Sequence, residues 1–128
     1  MDRARLLRLV GAALVLLGGA LHLKLQLDDY GTESIGRAFA LNAVASGLVA
    51  AYLVLRDDLL GPLAGMAVSA GSLVAFALSR TGDGILDFRE TGFDAPYSAL
   101  TVAVEGLALV VLAGATVATR RVTSSPQS

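Results

Sequence analysis

Read from charge to charge, the chain alternates long apolar runs with short polar clusters, and four runs stand out, at residues 6–27, 36–55, 59–79 and 96–119. Each approaches the ~20 residues that cross a ~30 Å hydrocarbon core as a helix. The first is interrupted near its end by His22, Lys24 and Gln26, and the second has Arg37 at its margin and Asn42 inside. The third carries no charge, and Pro62 falls in its first turn, where a missing N–H costs least. The fourth is free of charge except for Glu105 at its middle. These runs are too long for strands and lack the polar alternation of a membrane barrel. The pattern therefore predicts an all-α, integral membrane, antiparallel four-helix bundle over residues 1–121. Residues 122–128, rich in Ser, Thr, Pro and Gln, read as a disordered polar tail.

The first run also fits a signal peptide, since Arg3, Arg5 and Arg8 form a basic lead into an apolar stretch. No good Ala-x-Ala cleavage site follows, so it reads as a retained span. Placing both termini in the cytoplasm puts Arg3, Arg5, Arg8, Arg56, Arg120 and Arg121 inside, and Lys24, Arg37, Arg80 and Arg89 outside. That bias, together with the basic flank of the first helix, sets the expected orientation in the plasma membrane. The acidic residues then sort sharply. Asp28, Asp29, Glu33, Asp83, Asp87, Glu90 and Asp94 fall in the two long outer loops, against Asp2, Asp57 and Asp58 inside.

Composition agrees with the lipid bilayer as the main partner. Charged residues make up 16% of the 128-residue chain, below the ~25% of soluble domains. The net charge of −1 and the lack of a basic tract argue against nucleic acid. Cysteine is absent, which excludes disulfides and thiolate chemistry, and the single histidine excludes an intrachain two-histidine metal or haem site. No cofactor is predicted, and the sequence leaves any metal unspecified.

Glu105 is the most informative residue, because an ionisable group at that depth costs roughly 2.5–3.5 kcal/mol on insertion scales and marks a functional site by default. At ~1.5 Å per residue it lies roughly 12 Å below the outer end of its helix. By the same arithmetic Asn42, His22 and Ser72 lie roughly 9, 8 and 10 Å below the outer ends of theirs. One thin polar layer results, comprising His22, Asn42, Ser72 and Glu105. The stripes through these residues carry small side chains, Gly11 and Gly18 below His22, Ala38, Ala45 and Ser46 around Asn42, and Gly65 and Ser69 below Ser72. The Glu105 stripe holds Ser98, Thr101, Ala108 and Leu112. Small residues allow close helix approach in lipid, so these faces are expected to point inward. The layer reads either as interhelical glue, with Glu105 donating as a neutral carboxyl to Asn42 or His22, or as a working site for protons, cations or a small polar ligand. A third reading puts Glu105 at a subunit interface.

The outer loops hold weaker signals. The segment Asp83-Gly84-Ile85-Leu86-Asp87-Phe88-Arg89-Glu90 matches the second half of an EF-hand loop, but Ser79 and Thr81 occupy the first two ligand positions. It reads as a solvated charged loop with Arg80 and Arg89 pairing locally, or as a loose cation contact. Asp28, Asp29, Tyr30, Glu33 and Arg37, with Asp83, Asp87, Arg89 and Glu90, form a candidate outer vestibule. The plainer reading makes Ser34 a helix N-cap and Tyr30 and Tyr97 interfacial anchors. Residues 82–94 are expected to cover the outer mouth, packing Phe88 and Phe93. No phosphate loop, His-Glu-x-x-His pair or Gly-x-Ser-x-Gly elbow is present.

The order GGALHLKLQLDDY, GRAFALNAVASGLVAAYLVL and ALSRTGDGILDFRETGFDAPYSALTVAVEGLALVVLA resembles the small four-span integral membrane proteins of actinobacteria. The resemblance covers most of the chain and implies topology, not an activity. The leading expectation is a non-enzymatic structural or accessory membrane subunit, oligomeric through Gly106, Val110 and Gly114 or part of a larger membrane complex. The alternatives are a proton- or cation-coupled transporter or channel component using Glu105 and His22, and an outer-leaflet quinone or lipid binder.

Overall fold

The structure is a computed structural model that describes residues 1–31, 33–86, 88–90, 92 and 97–126, with the backbone alone at Asp29. Four helices, α1 (Arg3–Leu25), α2 (Ser34–Leu55), α3 (Leu60–Ser79) and α4 (Ser98–Ser124), carry the chain, and each is long and apolar enough to cross a membrane. Among the described residues the only β pairing is an isolated bridge between Ile85 and Phe88.

The helix boundaries have local causes. Asp2 caps α1 by accepting the Arg5 N–H at 2.8 Å. After Leu25 the helix widens into a π turn, Gln26–Tyr30, closed by the Gly31 N–H on Gln26 O at 2.8 Å. The π turn ends at Gly31, whose φ of 50° suits a residue without Cβ. The expected N-cap at Ser34 is corrected, because Ser34 is already helical and Glu33 caps through its carbonyl, which accepts the Arg37 N–H at 3.0 Å. Asp58 Oδ1 accepts the Leu60 N–H at 3.1 Å and starts α3, with Pro62 buried in the first turn. The fourth helix runs past its expected end at residue 119. Thr123, Ser124 and Ser125 hydroxyls return to the carbonyls of Thr119, Arg120 and Arg121, which extends the last turns into the stretch read as a disordered tail. Residues 127–128 of that tail lie outside the described residues.

The helices pack through small residues, as membrane helices do when lipid is as apolar as the side chains. Ala12, Val15, Ala50, Leu53, Ala108 and Leu112 form the core. Leu112 packs its side chain against the backbones of Gly11 on α1 and Gly65 on α3. At Gly19 a Cβ would sit 2.6 Å from Ser46 Cβ, so α1 and α2 approach this closely only because Gly19 lacks a side chain.

Arg8 was counted from the sequence among the flanking charges, but only 2% of its surface is exposed. Its guanidinium donates to Leu53 O at 3.1 Å and to Arg56 O, and it meets Asp57 Oδ1 at 2.5 Å. It thus satisfies carbonyls that the end of α2 leaves without an intrahelical donor. Arg8 lies on the stripe of Gly11, Val15, Gly18 and His22, so its inward direction was present in the periodicity.

Candidate functional site

Asn42 and Ser72 are joined by a hydrogen bond, whereas Glu105 lies beside His22 and the Ser69 and Ser72 hydroxyls. On the α2–α3 side, Asn42 Nδ2 donates to Ser72 Oγ at 2.7 Å, Ser46 Oγ donates to Asn42 Oδ1 at 3.2 Å, and Ser72 Oγ donates to Val68 O at 3.1 Å. On the α1–α4 side, His22 Nδ1 lies 2.8 Å from Gly18 O and 3.9 Å from Glu105 Oε1. A carbonyl only accepts, so Nδ1 carries the ring proton in a neutral His22. Both side chains are buried.

Glu105 therefore neighbours His22 and not Asn42, whose amide is engaged by Ser72 and Ser46. Ser69 and Ser72 of α3 are hydroxyl neighbours of the carboxyl. The bond geometry restricts what they contribute. Ser69 Oγ is fully buried without a hydrogen-bond partner, and the Ser72 proton is already placed on Val68 O. The Glu105 carboxyl, the His22 imidazole and the buried Ser69 hydroxyl thus lie together at the α1–α3–α4 contact.

Above the layer, at the end of the helices where residues 82–92 connect, lies a cavity of about 370 Å³. His22, Asn42 and Ser72 give it a polar side, while Leu25, Ile35, Phe39, Ala45, Val68 and Ala75 supply apolar walls. Ile85, Leu86 and Phe88 from the connecting segment also line it. It reaches the surface between α2 and α3, where its lining residues Leu41, Ala67 and Gly71 are exposed.

An aromatic series closes one wall. The rings of His22 and Phe39, Phe39 and Tyr30, and Tyr30 and Phe88 stand edge to face at 5.2, 5.2 and 5.1 Å between centroids. Tyr30 then donates its hydroxyl to Glu90 Oε1 at 3.0 Å. The π turn swings Tyr30 over α2, between Phe39 and Phe88. Tyr97 is 42% exposed, and Lys24 Nζ lies 5.7 Å from its ring centroid.

Arg80 closes the opposite corner. Its Cζ stands 3.6 Å from the Phe76 ring centroid. Nε donates to Gly92 O at 2.9 Å, Nη2 to Ser98 Oγ at 3.3 Å, and Nη1 to Ser79 Oγ. The expected local pairing of Arg80 with loop carboxylates is not found among the described residues; its acceptors are neutral. The sequence counted Arg80 only as a loop charge, although its spacing from Phe76 by one helical turn announced the stacking.

Among the described side chains of the candidate vestibule, those of Tyr30 and Glu90 meet directly. Asp28 pairs with Lys24 at 2.6 Å on the exposed surface, and Glu33, Arg37, Asp83 and Arg89 are exposed. The Asp29 side chain, Asp87, Phe93 and Asp94 lie outside the described residues. Among the described residues no three carboxylate or histidine side chains converge to hold a metal ion. In the EF-hand-like segment Glu90 instead accepts from Tyr30, and Ser79 donates to Phe76 O at 2.7 Å.

Taken together, the four apolar helices define a multi-pass helical membrane protein with a surface-open cavity at one end. Comparison with protein-family models, curated proteins and solved structures found no match to the chain.

Proposed function

We propose that the chain is a small accessory membrane protein that holds an amphiphilic ligand, a lipid or quinone-like molecule, in the cavity at the loop end of the helices. The observation that carries this reading is the cavity itself: apolar walls, polar groups at two corners, and an opening between α2 and α3 beside the exposed apolar residues Leu41 and Ala67. Such a slot admits a molecule from the bilayer without passage through water, and a few placed polar groups orient it. The same reading takes the helices as antiparallel, with both termini cytoplasmic in the plasma membrane. Contacts of Arg8 near the start of α1 with the end of α2, and of Arg80 at the end of α3 with the start of α4, support the antiparallel order of those helices, and the basic flank of α1 supports the orientation.

The test is native mass spectrometry of protein extracted in mild detergent, comparing wild type with Ala45→Trp and Ala75→Trp, which fill the cavity. Wild type is expected to retain lipid-sized adducts that both variants lose while keeping their helical circular dichroism. Equal retention by the filled variants would remove the proposal.

A second reading rests on the approach of His22 to Glu105. That pair, with the unpaired Ser69 hydroxyl, suits a proton- or cation-handling group in a transporter component.

A further inference from the structure

We infer that the ligand of this cavity is anionic, and that Arg80, Ser98 and Thr101 form the subsite for its charged head. The inference rests on the amphiphile-binding reading and adds the charge of the ligand to it.

Arg80 lines the cavity and is half-buried. Three of its five N–H groups go to neutral oxygens, and its planar face rests on Phe76. One N–H remains on each of Nη1 and Nη2, a pair that grips a carboxylate or phosphate end-on. No carboxylate pairs with Arg80 among the described residues. Glu90 is tied to the Tyr30 hydroxyl, and Asp83 is exposed. Among the described residues the half-buried guanidinium is held by neutral oxygens alone, and an anion arriving at its two remaining N–H groups adds a charge-assisted pair.

Two further features point to the same corner. Thr101 also lines the cavity, and its Oγ1 is buried without a hydrogen-bond partner. It lies one turn from Ser98, which already accepts from Arg80. Here α4 also begins, with no side-chain cap from Tyr97 and no acidic residue in its first turn, so the positive end of the helix dipole lies at this corner.

The acidic loops select the source of the anion. The connecting segments 26–33 and 80–97 are net acidic in sequence, so the loop end carries a negative field that repels a free soluble anion. An amphiphile that slides in between α2 and α3 avoids that field. Its head then meets Arg80 at the helix end, and its chain lies along the apolar walls toward Leu41 and Ala67.

The experiment offers full-length protein in detergent micelles a set of probes with matched acyl chains: phosphatidylglycerol, phosphatidylcholine, diacylglycerol and the free fatty acid, with inorganic phosphate as the soluble arm. Retention is read by native mass spectrometry. Wild type is expected to prefer the anionic amphiphiles over diacylglycerol by about tenfold, the scale of one charge-assisted hydrogen-bond pair. Arg80→Gln is expected to abolish the preference while still retaining diacylglycerol, and Arg80→Lys to restore part of it. Thr101→Val removes the unpaired hydroxyl without disturbing the Arg80 bonds, and it is expected to lower anion retention alone. If Arg80→Gln unfolds, Thr101→Val and Arg80→Lys carry the test. Equal retention of diacylglycerol and phosphatidylglycerol by wild type overturns the anionic head but leaves the cavity as an amphiphile site. Tight binding of inorganic phosphate overturns the membrane source. Loss of every lipid from wild type overturns the amphiphile reading itself.

Discussion

The Glu105 carboxylate reaches to 3.9 Å from His22 Nδ1 across the α1–α4 contact because Gly18, one turn before His22, has no side chain. A Cβ at Gly18 would lie 2.8 Å from Glu105 Oε1, inside van der Waals contact. The pair is therefore a product of helix packing at one glycine, and its integrity can be tested there.

Gly18→Ala is expected to lower stability by about 1–3 kcal/mol, the cost of overpacking a filled interior. A lower thermal midpoint in detergent, together with a changed His22 ring resonance, checks this. An unchanged midpoint would show that Glu105 swings away freely.

Glu105→Gln keeps the shape of the carboxyl and its hydrogen-bonding atoms while removing its proton chemistry. If the layer serves packing and ligand binding, folding should change by less than about 1 kcal/mol, the scale of one net hydrogen bond, and lipid retention should persist. Reconstituted vesicles supply the decisive readout. A pH-driven flux in wild type that Glu105→Gln abolishes, with the fold intact, would establish the proton- or cation-coupled reading instead.

Arg8→Ala is expected to be among the most damaging single changes. It strips a buried donor from Leu53 O and Arg56 O and releases Asp57. A loss of about 1–3 kcal/mol follows from leaving such carbonyls unpaired. Arg8→Lys retains the charge but not the fork, and it should recover only part of the loss in a thermal melt.

Asp58, in the turn between α2 and α3, accepts the Tyr52 hydroxyl at 2.8 Å. That bond, helped by the Leu60 N–H and the nearby Arg56, holds its carboxyl below the usual aspartate range against the opposing effect of desolvation. A carboxylate depressed in the folded state contributes stability above its unfolded pKa, and this is lost as pH falls through the folded value. Acid melts should therefore show a stability loss below the ordinary aspartate range that Asp58→Asn and Tyr52→Phe both reduce. Identical acid profiles for all three proteins would contradict this assignment.

Orientation is open to a direct measurement, because the chain has no native cysteine. Gly31→Cys and Gly92→Cys, each introduced alone, are expected to react with an impermeant maleimide from the extracytoplasmic side of intact cells. Labelling only after the membrane is opened would invert the proposed topology.

The number of helices and their approximate limits were legible in the sequence because hydrophobic length and helix-start chemistry are local properties. The runs at 36–55 and 59–79 lie within two residues of α2 and α3 at either end. The inward faces of His22 and Glu105 were also legible, since a small-residue stripe fixes which side of a helix another helix can approach. The partner of each polar group was not. Asn42, Ser72 and Glu105 share a depth, but helix rotation gives Ser72 to Asn42 and His22 to Glu105, and depth arithmetic carries no rotation between helices. Arg8 and Arg80 look alike as flanking charges along the chain. Packing buries the first against the end of α2 and leaves the second, stacked on Phe76, beside a cavity. The sequence by itself determined that the chain builds four membrane-length helices with an ionisable group inside the last. Only the tertiary structure decided that the helices and the connecting segment leave a cavity above Asn42 and Ser72. That gap depends on how side chains from all four helices fill space, and no single helix encodes it.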